Sequence, residues 1–213
     1  MMPMADMLPE FADAFVSQAI FARVYTLAWD DVLSFKAPPE KLVAGTALRH
    51  YARALAYRAR HDQAAAAREQ AAFEAARAKI PADRPWGQSQ AGAILTIASE
   101  VLSARMASDS EQEIQHLRKA VAEQDKLVYD EPPDWYYQTR ESLGAALVRA
   151  NRAAESEQVF RDALRRSPRN GRVLFGLMES LKAQNKTDGL PELRREFEKI
   201  WTKQAIPLTL GDL

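Results

Sequence analysis

The chain has 213 residues, with 29 Lys and Arg against 29 Asp and Glu, so no global field draws it to nucleic acid or to an anionic membrane surface. It contains no cysteine, which excludes disulfides, thiolate catalysis and thiolate metal sites together. At 47% hydrophobic and 27% charged, it has the composition of a globular protein able to bury a core.

The start, MMPMADMLPEF, has no basic region and no long apolar run before Asp6 and Glu10. It therefore reads as neither a secretory signal nor a membrane anchor, and a cytoplasmic location is the expectation. Over 11–25 the apolar residues Phe11, Phe15, Ala19, Ala22 and Tyr25 recur at three and four, and WDDVLSF at 29–35 suggests a second, short helix ended by Ala37, Pro38 and Pro39. A longer helix spans 40–60, and AAAAREQAAFEAARAKI supplies its partner from strong helix formers, with Phe73 as the apolar plug. The stretch 80–92, with two Pro and two Gly, reads as a loop. A third pair follows at 93–107 and 111–128, joined by Ser108, Asp109 and Ser110, with Ile94, Ile97, Val101 and Leu102 facing Ile114, Leu117 and Val121.

The most legible part runs from Tyr129 to Pro168. Counting from Tyr137 as position 1, Leu143 and Gly144 fall at 7 and 8, Leu147 at 11, Ser156 at 20, Phe160 at 24, Ala163 at 27 and Pro168 at 32. Small residues stand where two helices must cross closely, large apolar ones flank them, and a proline stops the second helix. The next unit begins at Gly171, 34 residues on, with Leu174, Leu177, Met178 and Leu181 at positions 4, 7, 8 and 11. The last helix, over 188–203, sets Leu190, Leu193, Phe197, Ile200 and Trp201 against Arg194, Arg195, Glu198 and Lys199, as a solvating cap would. The insert YDEPPDWYY interrupts the period, and the tail IPLTLGDL is too short for a helix of its own.

These residues resemble the tetratricopeptide repeat family, and the run from Tyr129 to Gln184 is similar to the C-terminal part of a group of longer bacterial proteins of that family. The resemblance implies an all-α, right-handed superhelix of about five antiparallel hairpins, as a single domain over 1–213 with hairpins at 11–36, 40–79, 93–128, 135–167 and 171–203 and a tail at 204–213. It implies a scaffold rather than an activity. The chain departs from the family at Asn151 and Asn185, where Gly is common, but Asn tolerates the left-handed turn conformation. Leu190 and Arg194 occupy the small and aromatic positions of the last unit, so that helix is expected to pack differently.

By the same resemblance, concave-face positions fall on Tyr51, Arg58, Arg105, Glu141, Arg149, Arg172, Glu179 and Lys182. One cation per repeat, Arg58, Arg105, Arg149 and Lys182, forms a ladder suited to the carboxylates of an extended peptide or an acidic terminus. The competing reading is ordinary solvated charge. Asp134, Trp135, Tyr136 and Tyr137 form a candidate ligand platform, against which stands the reading of rings that cover a junction. The basic run 161–172 lies at a helix end, where cations complement the dipole, and lacks the repeated code that RNA reading needs. His50, His61 and His116 are isolated, the acidic pairs Asp30 with Asp31 and Asp130 with Glu131 are mere sequence neighbours, and there is no hydrolase, P-loop or dinucleotide motif. The expectation is a non-catalytic scaffold without metal or cofactor whose partner is another protein or an extended peptide, not nucleic acid or membrane. The alternative is an accessory region of a larger enzyme or metal-binding protein.

Overall fold

The computed structural model describes residues 9–201 and 207–213. Residues 1–8 of the stretch read for a leader, 202 and 203 of the predicted fifth hairpin, and 204–206 of the predicted tail lie outside them. The protein is all-α and 67% helical: the described residues form ten helices and a single two-stranded hairpin. No helix among the described residues is long and apolar enough to cross a membrane. The chain divides into two compact units, Met1–Met106 with Ala122–Tyr137, and Ala107–Val121 with Gln138–Leu213.

The first unit holds α1 (Pro9–Tyr25), α2 (Trp29–Ser34), α3 (Val43–Ala59), α4 (Gln63–Arg77), β1 (Pro85–Trp86), β2 (Ser89–Gln90) and α5 (Ala91–Met106). Helix α3 is its centre and touches α1, α2, α4 and α5. Its buried face is Ala44, Gly45, Ala47, Ala52, Ala54 and Ala56 around Leu48 and Tyr51. Small side chains let several helices approach one axis closely, so alanine does here what bulkier residues could not. The start of α3 is capped from another helix: Asp13 of α1, only 1% exposed, accepts from Ala44 N at 3.0 Å and Gly45 N at 2.5 Å.

That cap shifts the inward face of α1 from the predicted one. Ala12, Asp13, Ser17, Ile20, Phe21 and Val24 are buried, whereas Phe11 and Phe15 are exposed. The apolar period was present, but the tertiary hydrogen bonds of Asp13 select a neighbouring stripe. The segment 80–92 also holds more order than a loop: Pro85 pairs with Gln90 and Trp86 with Ser89, Trp86 is buried, and α5 begins two residues early at Ala91.

The second unit holds most of α6 (Ser110–Gln124), then α7 (Thr139–Arg149), α8 (Ala153–Arg166), α9 (Gly171–Ala183) and α10 (Leu190–Ile200). Helix α6 stops four residues short of the predicted 128. The buried Phe160 ring of α8 lies between the backbones of α7 and α9: a Cβ at Gly144 would stand 2.6 Å from it and one at Gly176 only 2.1 Å. The hydroxyl of Ser156 donates to the Gly144 carbonyl at 2.7 Å, which shows why position 20 is small and polar. Helix α10 lays Leu190 and Leu193 on the core cluster of Phe160, Val173, Leu177 and Leu181, and Phe197 near Phe175 at 6.3 Å.

Four helix-to-helix turns, two in each unit, share one device. Leu27, His61, Asn151 and Asn185 each have φ between 56° and 61°. In each, the following amide reaches the carbonyl five residues back: Ala28 to Arg23, Asp62 to Tyr57, Arg152 to Leu147 and Lys186 to Leu181, at 2.8 to 3.0 Å. This left-handed C-cap satisfies helix-end carbonyls that would otherwise be orphaned.

Candidate peptide-holding groove

In the second unit, α7 presents an unusual sequence of buried polar residues, Thr139, Arg140, Glu141 and Ser142. Glu141 is fully buried and is held by Arg172 Nε of α9 at 2.8 Å and by Asn170 Nδ2 at 2.9 Å. Asn170 is itself the N-cap of α9, accepting from the amides of Arg172 and Val173. Burial pushes the Glu141 carboxyl above its ordinary value, and the Arg172 guanidinium draws it back down. The pair and its amide thus lock the first turns of two neighbouring helices together.

Arg140 Nε donates to Asp162 of α8 at 3.0 Å, and three further groups of this wall hold the tail. Arg149 Nη1 donates to the Leu210 carbonyl at 2.5 Å, Arg172 Nη2 donates to the Asp212 carbonyl, and Ser142 Oγ donates to the Leu213 carbonyl. Leu213, 1% exposed, joins Ala145, Phe160, Val173, Leu177 and Leu181, with Leu210 packed beside it. The tail is itself ordered by a turn: Asp212 Oδ2 accepts from Thr209 N at 2.7 Å and Thr209 Oγ1 at 2.8 Å, and Asp212 N donates to Thr209 O at 3.1 Å. The other arm of the Arg149 guanidinium pairs with Glu113 of α6 at 2.6 Å.

The predicted ladder residues therefore have different settings. Glu141 and Arg172 are buried against each other, and Tyr51 in the first unit is fully buried with its hydroxyl 3.0 Å from that of Tyr136. None of these three side chains faces solvent as the concave-face positions require, because their polar ends satisfy other buried polar groups. Burial also raises the Tyr51 phenol well above its ordinary value. Arg58 is half-buried and donates through Nε to the Arg105 carbonyl, and Arg105 is half-buried as well. Lys182 is exposed and pairs with Glu179 one turn away at 2.6 Å.

The platform residues turn inward. Trp135 is buried against Phe21 and Tyr51, at 5.2 and 5.8 Å, while Tyr136 stacks on Phe21 at 4.5 Å and meets Tyr25 edge-on. Tyr137 packs on Tyr136 at 4.8 Å. Asp134 is 6% exposed, and burial raises its carboxyl, with nearby Asp130 adding to the shift. The insert thus contributes aromatic core to the first unit.

The basic run is largely paired: Arg161 with Glu157 at 2.8 Å, Arg165 with Asp162 at 2.7 Å and Arg172 with Glu141. His50 Nδ1 lies 2.7 Å from Glu69, which also binds Arg53 Nε at 2.7 Å, and His61 is a turn residue. Among the described residues no three His, Asp or Glu side chains converge as metal ligands would. The first unit also has a cavity of about 520 Å³ beside α4 and α5, lined by Glu74, Arg77, Gln90, Leu95 and Thr96, where Arg77 bridges Glu74 and Thr96 at 3.1 Å.

Sequence reasoning passed over Ser142 and the tail. The only signal was the spacing of Leu208, Leu210 and Leu213, apolar residues in a segment too short to fold alone. The fold and these contacts define an all-α protein of helical hairpins whose second unit packs its own tail against α7 and α9. No family model, curated protein or solved structure matches the chain.

Proposed function

We propose that this chain is a non-catalytic, tetratricopeptide-like scaffold in a cytoplasmic setting that binds another protein or a peptide through the inner surfaces of its hairpins. The observation that carries the reading is that Arg149 and Arg172, picked out by repeat spacing, grip main-chain carbonyls of the chain's own tail, those of Leu210 and Asp212. Support for the repeat comes from the 34-residue separation of the left-handed Asn151 and Asn185 and from the Phe160 wedge between two helix glycines. Preorganisation is the mechanism: helices locked by contacts such as Glu141 with Arg172 lose little freedom when a ligand is seated.

The test is affinity capture from the source organism, comparing the wild type with an Arg105→Glu, Lys182→Glu double variant. Neither is among the residues that hold the tail, Ser142, Arg149 and Arg172, and one lies in each unit. Proteins recovered by the wild type and lost by the variant are expected. Equal recovery with both baits would sink the ladder, and no specific recovery after cross-linking would sink the scaffold.

A further inference from the structure

We propose that the groove of the second unit is a binding site for a short turn-forming segment of the pattern Thr-Leu-x-Asp-Leu, that the chain's own residues 209–213 are its intramolecular occupant, and that a partner segment of the same chemistry displaces them. The inference rests on the scaffold reading only in taking the groove as a place where other chains dock.

The chemistry follows from what each tail atom does. Three recognition contacts go to main-chain oxygens, those of Leu210, Asp212 and Leu213, from Arg149, Arg172 and Ser142 on two helices. Carbonyl recognition fixes the course of a segment while leaving most side chains unread. Two side chains are read as apolar anchors, Leu213 in the core cluster and Leu210 beside it. The Asp212 carboxylate is held within the turn by Thr209, so its side chain shapes the segment rather than meeting Arg149 or Arg172 in the contacts above. Gly211 is not essential to the pattern, since a Cβ there would meet only Thr209 Oγ1 at 3.4 Å. The turn's own hydrogen bonds preorganise it, so a free segment of this sequence loses less entropy on docking than an unstructured one.

An intramolecular occupant lowers the apparent affinity for any competitor by the fraction of time the groove is open. The experiment uses a fluorescein-labelled peptide of residues 207–213 and follows its polarisation with the wild-type chain and with a Leu213→Asp chain. The variant places a charge in the apolar anchor of the tail and leaves every groove residue in place. The peptide is expected to bind the variant at least roughly tenfold more tightly than the wild type, and a peptide carrying Leu213→Asp or Asp212→Ala should lose that binding. Equal affinity for the two proteins, or no binding to a variant that keeps its helical circular dichroism, overturns the proposal. Should the variant lose its helices, hydrogen exchange of the wild type decides. Exchange of the Gly211 and Asp212 amides through a local opening, with α7 and α9 still protected, supports a displaceable tail; exchange only with global unfolding overturns it. Lysate capture through Arg105 and Lys182 is a separate measurement. Peptide failure with successful capture sinks the tail proposal alone, and the reverse result sinks the wider scaffold alone.

Discussion

Replacing Gly176 with Ala should destabilise the protein although alanine is the better helix former. In an unconstrained helix interior the exchange stabilises by about 1 kcal/mol. Here the new methyl would stand 2.1 and 2.2 Å from two atoms of the Phe160 ring, far inside contact distance. The ring is fully buried and also lies 2.6 Å from a Cβ built at Gly144, so moving away from α9 drives it into α7. Overpacking of this kind costs typically 1–3 kcal/mol and occasionally more; the short contacts on both sides of the ring put the cost in the upper part of that range, which leaves a net loss of up to about 2 kcal/mol after the propensity gain. Urea unfolding followed by far-ultraviolet circular dichroism measures it, and a double-mutant cycle isolates the cause. In a Phe160→Leu background the clash is relieved, so Gly176→Ala should become neutral or stabilising. A stabilising Gly176→Ala in the wild-type background would refute the wedge, as would an unchanged penalty in the Phe160→Leu background. Gly144→Leu on the opposite wall should lose about 1–3 kcal/mol for the same reason.

Asn151→Ala should lower stability by about 1 kcal/mol while Asn151→Gly changes it little, because the left-handed turn penalises a Cβ and spares glycine; comparable midpoints for the two would rule out a φ-based origin. Arg172→Met should cost about 3–5 kcal/mol at neutral pH by stranding the buried Glu141 carboxylate. That deficit should shrink as acid neutralises the carboxyl, a trend absent in an added Glu141→Gln background. Glu157 is held from the ordinary 4.5 down to about 2, first by its hydrogen bond from Lys186 and then by Gln184 and Arg161. A depressed carboxyl contributes stability that is present above its unfolded value and lost as pH falls through the folded one. Unfolding midpoints should therefore show an acid limb between pH 4.5 and 2 that Glu157→Gln removes; an identical limb in the variant would exclude this group. Asp13→Ala should lose about 1–3 kcal/mol by orphaning the Ala44 and Gly45 amides, detectable as a lower urea midpoint, whereas an unchanged midpoint would mean that water replaces the cap.

The helices and their turns were written locally. Strong helix formers over 63–77, the 3.6 period of α9 and the stop at Pro168 act over a few residues, and a one-dimensional signal suffices to place them. Asn151 and Asn185 belong to the same class, since a left-handed C-cap depends on the residue in the turn itself. The pairing of small Gly144 and Ser156 with large Phe160 was legible too, because close helix crossings leave little choice of side chain.

What a polar or aromatic side chain faces was not legible, since that depends on partners distant in sequence. Glu141 reads as a surface acid until Arg172 and Asn170 arrive from the next hairpin, and Tyr51 reads as a groove residue until Trp135 and Tyr136 cover it. The inward stripe of α1 was likewise set by Asp13 capping a helix 31 residues away. The sequence by itself determined where the helices lie and how they turn, because propensity, capping and packing period are short-range properties. Only the tertiary structure decided that two predicted ligand residues belong to a buried ion pair and that the tail lies against the same wall, because burial and hydrogen-bond partnership exist only once distant segments have met.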